Sequence, residues 1–253
     1  MTVIDLRRYS AVIFETDGVL TDTARIHAAA WKRVFDDLLR RLPGLSADQA
    51  RPFDVRDDYL AHFDGRPRLE GAREFLASRG IAPPDGDDGM LAELAERKEE
   101  LFLTEIRRHG VAAFPAAMAL VRELRRHGAR LAAISPSRNC AEILTRAGMG
   151  DMIDARVDGV TAAEAGLAAM PDPAIPLHAA RQLGAEPYEC VVVAATLPAL
   201  QAARMGRFGL VVGVRGPGQA PAGDADVVIG DLGELWVSGR VPLVSHGEAA
   251  PRT

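Results

Sequence analysis

The sequence predicts an α/β fold: a Rossmann-like, doubly wound parallel sheet with a helical cap domain inserted into it. Three observations predict this. Short apolar runs rich in Val and Ile recur between turn signals. Helical stretches alternate with the later runs. A long tract poor in β-branched residues separates the first run from the second.

The runs are Ala11–Glu15, Ala129–Ser135, Cys190–Ala194, Gly209–Val214 and Asp226–Ile229. Their length and unbroken apolar character suit strands buried on both faces. The chain's first fifteen residues, MTVIDLRRYSAVIFE, read as leading into a strand rather than as a signal peptide, since no small-residue cleavage site follows. Helices are expected over Ala116–His127, Arg138–Ala147, Ile175–Leu183 and Leu197–Met205, with Gly128, Gly148, Gly184 and Gly206 as stop signals. The helix-forming tract, about Thr23–Arg108, is broken by a polar loop at Ala82–Gly89. The expected organisation is a core formed by residues 1–24 and 109–240, a helical cap over 25–108 and a flexible tail over 241–253. Hinges are expected near Thr23–His27 and Arg107–Phe114.

Composition narrows the function. A chain of 253 residues has room for a core and an insertion. Hydrophobic residues at 48% and charged residues at 26% describe a globular chain rather than a disordered one. A net charge of −5 argues against a nucleic-acid binder held by bulk electrostatics. No apolar run reaches the roughly 18 residues of a membrane span. Cys140 and Cys190 cannot make a disulfide framework, which fits a reducing compartment, and a cytoplasmic location is expected.

The first run ends in Phe14-Glu15-Thr16-Asp17-Gly18-Val19-Leu20-Thr21-Asp22-Thr23. An acid-x-acid-Gly turn after such a strand puts carboxylates at the carboxyl edge of the sheet, where ligands bind in open α/β folds. With this motif go Arg25–Lys32 (RIHAAAWK), Asp64–Ile81 (DGRPRLEGAREFLASRGI), Ser135–Asn139 (SPSRN) and Arg156–Val160 (RVDGV). Several motifs in order, over about residues 10–235, resemble the haloacid dehalogenase superfamily, and within it the β-phosphoglucomutase-like group.

The resemblance implies phosphoryl transfer to an aspartate at the end of the first strand, with a second acid two residues on as proton shuttle. It implies a Mg2+ held partly by acids after the fourth core strand, and a lysine on the transferring phosphate. Such chemistry is mostly positioning and charge neutralisation. The nucleophile position here is Glu15, whose extra methylene displaces the carboxylate by more than ~1 Å, enough to cost about a hundredfold. The acid/base position is Asp17. The metal acids are replaced by Ala194 and Ala195, and no Asp or Glu occurs between Glu189 and Asp224 to restore them. The lysine position is Met170, and no lysine follows Lys98. Lost together, these charges leave no unpaired ion behind. No cofactor is therefore expected, Mg2+ binding should be weakened, and Glu15 and Asp17 are the only candidates to touch a metal.

The other half of the site matches the group. Ser135, Ser137, Arg138 and Asn139 correspond to the loop that grips a non-transferring phosphate, Arg68 to a cap arginine, and His27 and Trp31 to the helix lining the cleft. The expected function is a pseudo-phosphatase that binds a phosphorylated small molecule such as a sugar phosphate, or a protein partner, with no nucleic acid or membrane. Some relatives of this kind resemble domains attached to trehalose-phosphate phosphatases, so a partner in carbohydrate metabolism fits. Two alternatives stand beside it: metal-independent acid–base chemistry by Glu15 and Asp17, and weak residual phosphohydrolase or phosphoglucomutase-like activity. The same residues also suit plainer roles. The serine loop also suits a helix cap, His27 a packed hinge, and Arg66 and Arg68 a solvated surface. The pairs Asp36-Asp37, Asp57-Asp58 and Asp87-Asp88 read as solvated faces rather than as diphosphate–metal ligands.

Overall fold

The structure is a computed structural model that describes residues 2–81, 89–215 and 223–239. Six parallel strands form the main sheet: β2 (Ala11–Glu15), β3 (Arg130–Ile134), β4 (Ala155–Val157), β5 (Cys190–Ala194), β6 (Leu210–Val214) and β7 (Val227–Ile229). Their order is β4-β3-β2-β5-β6-β7, so β2 lies at the centre and the chain reverses direction of winding beside it. The five predicted runs fall on strands of this sheet. The β4 strand was not predicted, because Ala-Arg-Val has a charged residue at its centre and no apolar run to mark it, unlike the equally short β7. Nor was a second, two-stranded parallel sheet, in which β1 (Thr2–Asp5) pairs with β8 (Leu235–Ser238).

Every residue of β2 and β5 is buried, as expected of strands covered on both faces. Alternate residues divide between two cores. Val12 and Phe14 pack with Leu120, Val121 and Leu124 of α5 (Pro115–Arg126) and with Leu144 of α6 (Cys140–Arg146). Ala11 and Ile13 pack with Ala179 and Ala180 of α8 (Ala174–Gln182), which follows the short α7 (Gly159–Glu164), and with Ala199, Ala202 and Ala203 of α9 (Leu197–Met205). Small residues on α8 and α9 bring those helices close to the sheet.

The predicted stops divide by mechanism. Gly128, Gly148 and Gly184 adopt left-handed backbone, with φ of 78°, 70° and 61°. After α9 the left-handed residue is Arg207, at φ 56°, rather than Gly206. Gly206 is required for space instead, since a Cβ there would lie 2.7 Å from the Phe208 ring.

Between β2 and β3 the chain builds a helical cap from α1 (Ala24–Arg41), α2 (Asp57–His62), α3 (Arg68–Ser78) and α4 (Gly89–His109). The predicted polar loop falls largely at 82–88, outside the described residues, as does the predicted tail at 241–253. The cap has its own core, centred on Phe35. The ring of Phe35 lies 4.4 Å from that of Phe75, 5.2 Å from Trp31 and 5.7 Å from Phe53 and Phe63. The two connecting strands of chain run side by side: the Asp22 amide donates to Ala112 and the Phe114 amide to Leu20. Phe102 and Ile106 of α4 pack against Ile143 and Ala147 beside α6, seating the cap on the core. Of the three Asp pairs, Asp87-Asp88 lies outside the described residues; in the other two, Asp36 pairs with Lys32, Asp37 with Arg41 and Asp58 with Arg79.

Phe35→Ala should destabilise the protein by about 3–5 kcal/mol, because the aromatic cluster closes on all sides of that ring. Urea denaturation of the variant against the parent measures it, and a loss below about 1 kcal/mol would show the cap core to be far more plastic than this packing implies.

Candidate functional site

The site lies at the carboxyl ends of β2, β3 and β5, under the cap, in a cavity of about 430 Å3. Its floor comes from the core and its roof from α1, α4 and the turn after α2.

Glu15 ends β2 and is buried. Because β5 is its neighbour in the sheet, the side chain reaches the loop that follows β5. One oxygen accepts hydrogen bonds from the amides of Ala195, at 2.8 Å, and Thr196, at 3.0 Å. The other accepts from the Thr196 hydroxyl at 2.6 Å. Thr196 is also the N-cap of α9, its oxygen accepting from the Ala199 amide. The glutamate therefore sits at the positive end of that helix. Burial pushes its carboxyl up to about 7, and the bonds from Thr196 and Ala195 only partly offset this.

Asp17 is tied in a different way. Its carboxylate accepts from the Thr23 and Ser135 hydroxyls, the latter at 3.1 Å. Burial raises its pKa against these bonds and against the nearby charge of Lys98. Lys98, from α4, is buried in the cleft, and its Nζ donates to His27 Nδ1 at 2.7 Å. His27 stacks on Phe102 with ring centroids 3.9 Å apart. Burial, then the lysine charge, drives its pKa well below the ordinary 6.5, so the ring is neutral at pH 7. With Nδ1 accepting, the ring proton sits on Nε2, which faces Asp17 Oδ1 at 3.7 Å. Burial lowers the lysine to about 8.

The structure thus supplies a lysine that sequence reasoning missed. Met170 is indeed buried at the edge of the cleft, and no core lysine replaces it. Lys98 enters from the opposite side, on the cap. The signal was present in one respect: Lys98 is one of only two lysines, in a chain whose other basic residues are arginine.

The remaining predicted residues divide. Ser137, Arg138, Arg68, His27 and Trp31 line the cleft. Trp31 is also part of the cap core, stacked against Phe35 and tilted against Phe63. Arg68 lies 3.5 Å from Glu99. Ser135, expected at a ligand phosphate, is instead fully buried, and its hydroxyl bridges Asp17 and the Ser137 amide. Asn139 is not among the cleft-lining residues, and its side-chain nitrogen is enclosed without a partner. The loop turns inward because Ser135 and Ser137 each accept an amide two residues ahead. Tyr59, Phe63 and Asp64 of the cap line the cleft and were not predicted as site residues.

The donor set does not fit Mg2+. Ala194 and Ala195 offer no side-chain oxygen, and the Glu15 oxygens face three hydrogen-bond donors. Among the described residues no three His, Cys, Asp or Glu side chains converge on a metal-sized position. No helix among them is long and apolar enough to cross a membrane.

Known proteins share this architecture. The chain is 37% identical over 237 residues to a β-phosphoglucomutase of Mycobacterium bovis, covering 89% of this chain and 90% of that protein. It is 30% identical to a β-phosphoglucomutase of Bacillus subtilis, covering 89% and 91%. The crystal structure of CbbY from Rhodobacter sphaeroides in complex with phosphate superposes with a TM-score of 0.71 at 25% identity, covering 89% of this chain and 96% of that one. The family model for haloacid dehalogenase-like hydrolases matches residues 9–205. The strand-end acids, the inserted cap and these matches together place the chain in the haloacid dehalogenase-like hydrolase family.

Proposed function

We propose that this chain binds a phosphorylated small molecule, a sugar phosphate, in the cleft between cap and core without metal-dependent phosphoryl transfer. The carrying observation is the tether on Glu15. A nucleophile needs a free oxygen aimed at phosphorus. Here both oxygens are bound, by Thr196 and by the Ala195 and Thr196 amides. A transferring phosphate would also lack the charge that Mg2+ and a core lysine provide, since Ala194, Ala195 and Met170 carry none.

What remains suits recognition. Arg68, Arg138 and Ser137 line the cleft and offer donors to a phosphate, while Trp31 and Phe63 give a ring an apolar face. The names of the relatives, β-phosphoglucomutases, support a phosphosugar as ligand.

A second reading draws on the Glu15 carboxyl near 7, which is the range of a general acid or base. Under that reading Glu15 and Asp17 would convert a ligand without metal, and Asp17→Asn would abolish the conversion.

The unmodified protein should show no Mg2+-dependent phosphate release or isomerisation with β-glucose 1-phosphate. Combined Glu15→Asp, Met170→Lys, Ala194→Glu and Ala195→Asp substitutions should raise activity at least about a hundredfold above that background. Turnover by the parent chain that is lost in Glu15→Gln would sink the proposal.

The raised Glu15 pKa also has a sign in stability. The folded carboxyl holds its proton to about 7, against an ordinary value of 4.5. The contribution is therefore fully present below about pH 4.5 and is lost as pH rises through 7, by up to roughly 3 kcal/mol. Urea midpoints taken from pH 4 to 8 should fall across that window more steeply for the parent than for Glu15→Met. Parallel profiles would show that Glu15 is not held protonated in the fold.

A further inference from the structure

We propose that Tyr59 and Asp64 form a hydroxyl-selecting subsite on the cap, one that takes a ligand hydroxyl at the end away from its phosphate. This deepens the phosphosugar reading and rests on it. Most polar groups of the cleft floor are already bound to protein: Glu15 by three donors, Asp17 by two hydroxyls, Lys98 to His27. Two cap groups are not. The Tyr59 side chain is 8% exposed and lines the cavity, and among the described residues its hydroxyl has no hydrogen-bond partner. The Asp64 carboxylate lines the same cavity, and among the described residues it accepts no hydrogen bond and has no basic side chain within ion-pair distance.

The two are held together by the backbone. The amides of Phe63 and Asp64 both donate to the Tyr59 carbonyl, at 2.8 and 3.1 Å. The next residue, Gly65, has φ 73° and lies so close to Thr196 that a Cβ would stand 2.7 Å from its hydroxyl. The end of α2 that carries Tyr59 and the turn that carries Asp64 are thus fixed over the loop that holds Glu15.

Asp64 is half-buried and Tyr59 is buried, so a ligand hydroxyl that replaces water on them inside the closed cleft gains hydrogen bonds that no protein group supplies. Burial, aided by the Asp17 charge, raises the Asp64 carboxyl to about 6, and burial together with Asp64, Asp17 and Glu15 holds the Tyr59 phenol protonated. At neutral pH the pair therefore presents an anionic acceptor beside a neutral donor and acceptor. A phosphate would be repelled there, whereas a sugar hydroxyl would donate to Asp64 and accept from Tyr59. The phosphate then falls to Arg68 and Arg138, which line the same cleft.

The test is titration calorimetry of the full chain with glucose 1-phosphate, cyclohexyl phosphate and free glucose. Cyclohexyl phosphate keeps the six-membered ring and the phosphate and lacks the ring hydroxyls. The parent should prefer glucose 1-phosphate to cyclohexyl phosphate by about tenfold or more. Tyr59→Phe and Asp64→Asn should each remove most of that preference, with cyclohexyl phosphate affinity unchanged in Tyr59→Phe and not lowered in Asp64→Asn. No preference in the parent, equal losses for both esters, or no binding of any of the three compounds would overturn the subsite. Glucose binding that depends on Tyr59 and Asp64, with neither ester bound, would uphold the subsite and overturn the phosphate reading instead.

Discussion

Glu15 lies at the end of the central strand, and its hydrogen bonds to the Ala195–Thr196 loop set the geometry of everything above it. The two strands concerned, β2 and β5, are neighbours in register, so a side chain one methylene longer than aspartate spans the gap to the next loop. Thr196 then serves three structures at once. Its oxygen caps α9, its hydroxyl proton is given to Glu15, and its side chain is the surface against which Gly65 of the cap closes. Core strand, core helix and cap turn are coupled through a single threonine.

The electrostatics follow from that coupling. Where relatives are expected to neutralise a phosphate with metal and lysine, this cleft buries Glu15 and Asp17 with hydroxyl and amide donors. Donors of that kind carry partial charge only, so desolvation prevails and both carboxyls are raised. A buried cation in the cleft is Lys98, brought in by the cap and bonded to a neutral His27. Charge compensation in the cleft therefore depends on the cap being seated, because the core alone supplies no lysine. Phe102 contributes to both ends of this arrangement. It stacks on His27 and packs in the cluster that joins α4 to α6.

Much of this was legible in the chain itself. Unbroken apolar runs marked the main strands, and the acid-x-acid-Gly turn marked the edge of the sheet where the cleft opens. Gly128, Gly148, Gly184 and Gly206 each follow the end of a helix, as read. The first three do so by left-handed backbone, whereas Gly206 caps α9 and is held to glycine by its packing against the Phe208 ring, a contact that a local pattern does not carry. The strands β1, β4 and β8 were illegible because each mixes apolar with polar or charged residues, unlike the equally short Val-Val-Ile of β7. Ser135 and Asn139 match a phosphate-gripping loop by type. Even so, the loop's own serine–amide bonds turn Ser135 toward Asp17 and leave Asn139 off the cleft wall. Residue type and spacing do not encode which way such a loop folds.

The sequence by itself determined the doubly wound sheet, the inserted helical segment and the residue types at the strand ends: a glutamate at 15, a methionine at 170 and alanines at 194 and 195. These are properties of local pattern and of residue identity, which need no knowledge of the partner across the fold. Only the tertiary structure decided that Glu15 is bound by Thr196, that Lys98 enters the cleft from the cap, and that Tyr59 and Asp64 face it without side-chain partners among the described residues. Those outcomes join residues separated by tens to nearly two hundred positions. They are set by how the strands pair and how the cap seats, and the physical reason is burial. Whether a carboxylate, an amine or a phenol is satisfied depends on which groups share its enclosed volume, and in a linear chain that volume does not yet exist.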